Sequence, residues 1–209
     1  MHDLTFLCRI LASATHEMQN ILAIIKESGA LADDVLNLNG PPRMKHGDKL
    51  FSALGSVQTQ VERGRTLMAA LNTCAHAATA EYEMLDLPVF CDRAGVLVDR
   101  MVRLKECSFK VVKQLDKGRI RADGFDFIRA VYRAVELVLA TCQAGDELTL
   151  ALQTVGGGQA IIRTTSKTAR DIPQSDTAFG DMVTRIGAEL CLEAGSLSLT
   201  FPLISGDGT

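Results

Sequence analysis

The chain has 209 residues, of which 47% are hydrophobic and 22% charged, so it has the material for a packed core and is not a disordered segment. A net charge of -3 gives no electrostatic case for nucleic acid as its partner. Its six cysteines form no CxxC pair, stand at no zinc-ligand spacing with histidine and lie mostly in apolar runs, as expected in a reducing cytoplasm.

The run from Leu4 to Ala14 is broken by Arg9 and makes a poor signal peptide, and no apolar stretch is long enough to span a bilayer, so a cytoplasmic protein without a membrane partner is expected. From a cap at Asp3 or Thr5, apolar or small residues recur at Leu7, Leu11, Ala14, Met18, Ile21, Ile25, Ser28, Ala32 and Val35. Steps that alternate four and three form a heptad seam over about four repeats. It stops at Asn39-Gly40-Pro41-Pro42. A second seam follows at Leu50, Leu54, Val57, Val61, Gly64, Met68, Leu71 and Ala75.

Two long helices joined by a short turn predict an antiparallel hairpin. A lone hairpin cannot cover both seams, so two hairpins are expected to pair as a four-helix bundle in a homodimer. Packing of the seams on the rest of the same chain is the alternative.

Near residue 80 the pattern changes, which divides the chain into 1–78 and 79–209. Beyond it, strands are expected at 83–87, 108–115, 147–155, 159–165 and 196–201, and helices at 90–104, 125–141 and 177–192. Gly156-Gly157-Gly158 lies between two strands without the lysine spacing of a phosphate loop, and reads as a hairpin turn. The expected class is α+β: a helical hairpin followed by an α/β sandwich with helices on one face.

The chemistry concentrates in Thr15-His16-Glu17-Met18-Gln19-Asn20. With Ala14 and Met18 on the seam, His16 falls on the solvent face and Asn20 lies one turn further on the same side. Ser13, Ala23 and Glu27 extend that strip. A neutral imidazole on a rigid, exposed helix can accept a phosphoryl group. Glu17 can take or hold the ring proton, and Asn20 can orient a water or the incoming partner. Gln19, Ala23 and Glu27 are the candidate partner contacts, with small Ala23 leaving room for a docking protein. A solvated surface histidine is the bland alternative for His16, as solvated helix residues are for Gln19 and Glu27. The zinc motif HExxH is not met, because its second histidine is replaced by Asn20.

The stretch Thr15–Ala23 resembles the H-box of sensor histidine kinases. That resemblance implies phosphorylation at His16, proton transfer assisted by Glu17, and Asn20 in the position used in dephosphorylation. The second half resembles the Bergerat-type ATP-binding domain of the same family. Arg121-Ala122-Asp123 followed by 127–140 is similar to the entry into its nucleotide-binding helix, and Leu197–Leu203 to its last strand. The likeness implies a histidine-kinase ATPase-type sandwich.

The family's magnesium-binding asparagine is missing from Ala134-Val135-Glu136-Leu137-Val138-Leu139. Its Asp-x-Gly-x-Gly box is missing from 162–168, and its second glycine box and lid from 169–179. Without those contacts ATP loses its positioning and its charge neutralisation. The combination resembles the bacterial dimeric histidine phosphotransferases, which relay a phosphoryl group between receiver-domain aspartates of response regulators. That implies no ATP and no resident cofactor or metal, with magnesium supplied by the receiver. The alternatives are a pseudo-kinase that sequesters receiver domains and a true kinase with a divergent ATP site.

Overall fold

The computed structural model describes residues 3–39, 47–80, 82–167, 172 and 177–204. The Gly40-Pro41-Pro42 turn and most of the expected lid region at 169–176 lie outside the described residues. The chain divides into two compact units, one of Leu7–Ala69 and one of Met1–Phe6 with Ala70–Thr209. The division falls inside the two long helices rather than between the second helix and the first strand.

The first unit is built from α1 (Asp3–Asn39) and α2 (Gly47–Ala77). Glu17 pairs with Arg63, a Cβ on Gly64 would touch Ile21, and Ala32 and Val35 cluster with Leu50 and Ala53. Residues early in α1 thus meet residues late in α2, as the hairpin reading expects. Each predicted seam separates into two columns. Ala14, Ile21 and Val35 of α1 are buried, as is Leu50 of α2, while Leu11, Leu54, Val61 and Met68 are 57%, 51%, 47% and 55% exposed.

The second unit contains β1 (Glu83–Asp86), α3 (Leu87–Leu104), β2 (Ser108–Lys113), β3 (Arg119–Ala122), α4 (Gly124–Ala140), β4 (Glu147–Val155), β5 (Gln159–Ser166), α5 (Thr177–Arg185), β6 (Glu189–Glu193) and β7 (Ser196–Pro202). Five strands form one sheet in the order β2-β4-β5-β7-β6, with β2 parallel to β4 and the other pairs antiparallel. β1 and β3 form a separate antiparallel pair. The Gly156-Gly157-Gly158 turn joins β4 to β5.

The strands alternate. Leu148, Leu150 and Leu152 of β4, Ala160 and Ile162 of β5, and Leu197, Leu199 and Phe201 of β7 are buried on one face in matched register. Phe127 of α4 lies on that face against Phe201, with ring centroids 5.7 Å apart, and meets Phe90 of α3 edge-on at 5.8 Å. Val111, paired with Leu150, faces α3 so closely that a Cβ on Gly95 would lie 2.6 Å from its methyl. α3 and α4 therefore cover the same face of the sheet.

Asp86 caps α3, accepting from the Val89 N–H at 3.2 Å, and Asp123 caps α4, accepting from the Asp126 N–H at 2.9 Å. At the far end of α4, Lys105 Nζ donates to the carbonyls of Leu139 and Ala140, where a cation also complements the helix dipole.

The helix expected over 177–192 is corrected: α5 ends at Arg185, and 189–193 is an edge strand. Gly187 adopts φ +70, and the N–H groups of Ile186, Gly187 and Ala188 close on carbonyls of the last helical turn. That left-handed residue ends the helix and redirects the chain to pair with β7. Strand β3, also absent from the reading of the sequence, completes β1. Cys74, Cys91, Cys107 and Cys142 are buried, as apolar placement suggested, whereas Cys8 and Cys191 are exposed. Burial pushes the Cys74 thiol up to about 11 and that of Cys91 further, so both are neutral core groups at neutral pH.

Candidate functional site

A helix advances about 100° per residue, which sorts the side chains of α1 into three stripes. Ile10, Ala14, Glu17, Ile21, Ala32 and Val35 form the buried stripe that faces α2. Leu11, Met18, Leu22, Ile25 and Leu36 lie roughly a quarter turn away, on an apolar stripe that is exposed or half-buried. His16, Asn20, Ala23 and Glu27 occupy the remaining side, all exposed, with exposed Gln19 at its edge. The structure thus places His16 and Asn20 together on the solvent strip, as their four-residue spacing requires.

Glu17 does not join them. It is 7% exposed and its carboxylate is held by the guanidinium of Arg63 from α2. Following Ile10 by seven residues, it occupies a position in the packed stripe where an apolar side chain would ordinarily sit. The charge is tolerated there because a cation crosses from the other helix.

Arg63 is the residue beside the site that sequence reasoning missed. Its side chain is 39% exposed, so water partly screens the pair. Arg63→Ala removes the guanidinium from a buried carboxylate and is expected to destabilise the hairpin by about 1–3 kcal/mol. Thermal unfolding followed by far-UV circular dichroism checks this, and Glu17→Gln combined with Arg63→Ala is expected to recover part of the loss.

In α2, Leu54, Val61 and Met68 form the counterpart of the exposed α1 stripe, a quarter turn from the residues that face α1. Because the helices run in opposite directions, the same angular offset brings both exposed stripes to one side of the hairpin. His16 lies away from that side.

On α4, the segment without asparagine presents Glu136, which accepts from Arg133 at 2.6 Å. On β5, where the expected aspartate is absent, Thr164 is buried and Arg163 and Thr165 are half-buried. No group of three or more histidine, cysteine or acidic side chains among the described residues could hold a metal ion. No helix among the described residues is long and apolar enough to cross a membrane.

No protein-family model matches the sequence, and no curated protein matches it. Solved structures do resemble it. The mycobacterial sensor histidine kinase MprB is 16% identical, over 59% of this chain and 98% of its own, with a TM-score of 0.46. The Acinetobacter baumannii histidine kinase AdeS is 11% identical, over 88% of this chain and 95% of its own, with a TM-score of 0.45. A histidine kinase from Burkholderia phymatum STM815 is 12% identical, over 92% of this chain and 98% of its own, also with a TM-score of 0.45. The first of these likenesses spans little more than half of this chain, and the other two span most of it.

Proposed function

We propose that the chain is a histidine phosphotransferase of a two-component phosphorelay, taking a phosphoryl group from the aspartate of one receiver domain onto His16 and passing it to the aspartate of another. The observation that carries this reading is the position of His16: exposed on a long helix, on a polar strip with Asn20, Ala23 and Glu27, and turned away from both apolar stripes.

In the transfer, a ring nitrogen of His16 attacks phosphorus with its lone pair. The N–P bond forms as the P–O bond to the receiver aspartate breaks, and the carboxylate leaves with the electron pair. The other ring nitrogen then gives up its proton to water on the exposed strip. Asn20 orients the incoming group or a water, while Gln19, Ala23 and Glu27 contact the receiver. The reverse sequence delivers the phosphoryl group onward. The receiver brings both the aspartate and the magnesium, so the chain itself uses no ATP, cofactor or metal. It works as a homodimer, because two copies joined through the exposed stripes of α1 and α2 complete a four-helix bundle and leave His16 outside.

The test is to mix the chain with a receiver domain phosphorylated on its aspartate. Wild type is expected to become labelled, and His16→Ala to remain unlabelled with unchanged circular dichroism. Labelling that survives His16→Ala would falsify the assignment of His16. Binding without any labelling would instead establish the sequestering pseudo-kinase.

A further inference from the structure

The five-stranded sheet ends on β2 at one side and on β6 at the other. The two edges differ in charge. On β2, Lys110 pairs with Glu147 of the neighbouring strand at 2.6 Å, and Lys113 pairs with Asp92 of α3 at 2.5 Å. On β6, Glu189 and Glu193 are exposed and make no ion pair among the described residues.

Beyond the ladder with β7, no residue from Glu189 to Glu193 makes a hydrogen bond among the described residues. The outward N–H and C=O groups of alternate residues are therefore open to another strand. Leu190 and Leu192 stand opposite the buried Leu199 and Leu197 on the helix-covered face, with Leu192 still 36% exposed. Glu189, Cys191 and Glu193 lie on the other face, beside Thr200, Ser198 and Ser196. Arg163 of β5 stands opposite Ser198, two strands in from β6 and so roughly 10 Å away by strand spacing.

The segment Glu189-Leu190-Cys191-Leu192-Glu193 reads the same in both directions. A second copy pairing antiparallel about Cys191 would set Glu189 against Glu193 twice, and like charges directly opposite one another destabilise a strand pair. The edge thus repels itself and complements a strand with cations at the same two positions. We propose that β6 docks an extended basic segment of a partner protein by strand addition. Lysine or arginine at two positions four residues apart would face Glu189 and Glu193, with a small residue beside Cys191 and apolar residues alongside Leu190 and Leu192. This surface is separate from His16 and does not rest on the phosphorelay reading.

NMR titration of the full chain with three capped peptides tests it. One contains Lys-Val-Ser-Val-Lys, one Glu-Val-Ser-Val-Glu, and one the reordered Lys-Lys-Ser-Val-Val. The first is expected to bind at least about tenfold more tightly than either of the others. It is also expected to slow hydrogen exchange at alternate amides of 189–193. Glu189→Lys combined with Glu193→Lys is expected to weaken the first peptide about tenfold and to let the glutamate peptide bind in its place. Circular dichroism confirms the fold of the variant.

Absent binding, equal affinity for the reordered peptide, or binding that survives the charge reversal overturns the proposal. Cross-linking of Cys191 to Cys191 by a short bifunctional maleimide would place a second copy on the edge and overturn it as well. Each of these failures leaves transfer through His16 standing.

Discussion

The double substitution Leu54→Glu, Val61→Glu is expected to turn a dimer into a monomer without unfolding the hairpin. Both side chains are about half exposed in the single chain, at 51% and 47%, and both lie on the apolar stripe of α2 that α1 does not cover. A two-fold interface uses the same patch on each copy, so every substitution counts twice. At ~1.5–3 kcal/mol for full burial of an aliphatic side chain, and with about half of each still to be buried, the pair forfeits on the order of 3–6 kcal/mol of association, before the charge repulsion it adds. That corresponds to at least about two powers of ten in Kd. Sedimentation velocity at a concentration where the parent chain is dimeric checks it. The intramolecular contacts of Glu17 with Arg63 and of Leu50 with Val35 are untouched, so helicity is expected to persist. A variant that remains dimeric would place the interface elsewhere.

The largest single loss of stability is expected from Phe127→Ala. Phe127 is fully buried where α3, α4 and β7 meet, with Phe90 and Phe201 against its ring. Truncation removes its apolar contacts and leaves a cavity under the centre of the sheet, at about 3–5 kcal/mol. Folded domains hold only ~5–15 kcal/mol in total, so the α/β unit would lose much of its margin. Both tyrosines, Tyr82 and Tyr132, belong to that unit and the chain has no tryptophan. Tyrosine fluorescence during urea unfolding therefore reports on that unit alone. A midpoint shift equivalent to less than about 1 kcal/mol would contradict the packing described.

Much of the architecture was legible in the sequence because most elements have a strong period or a sharp boundary. The heptad columns and the proline stop defined α1, and β4 was read with its observed bounds from alternation ending at three glycines. β3 was missed because four residues, Arg119-Ile120-Arg121-Ala122, are too few to establish a period, and its partner β1 is distant in sequence. β6 was missed because the spacing of Phe179, Met182, Val183 and Ile186 continues a helical pattern up to Gly187, and Leu190 and Leu192 extend it by accident. Only the φ of Gly187 breaks that reading.

At the site, the exposure of His16, Gln19, Asn20, Ala23 and Glu27 followed from helix geometry alone. The burial of Glu17 did not, because adjacent residues on a helix point in different directions and a carboxylate is rarely assigned to a packed stripe. The partnership with Arg63 depends on the register between α1 and α2, which period and spacing within each helix leave undetermined. The exposed half of each seam was present in the heptads, but a sequence does not state which of two adjacent columns faces its own hairpin.

In the proposed function His16 is a relay point between two other proteins. The direct measurement is transfer from a phosphorylated receiver domain to a second, unphosphorylated receiver, with magnesium present and no nucleotide. The second receiver is expected to gain the phosphoryl group when the wild-type chain is added, through a transient phosphohistidine at residue 16, and not when His16→Ala replaces it. Equal transfer with His16→Ala, or none with wild type across receiver domains that bind the chain, would contradict the account.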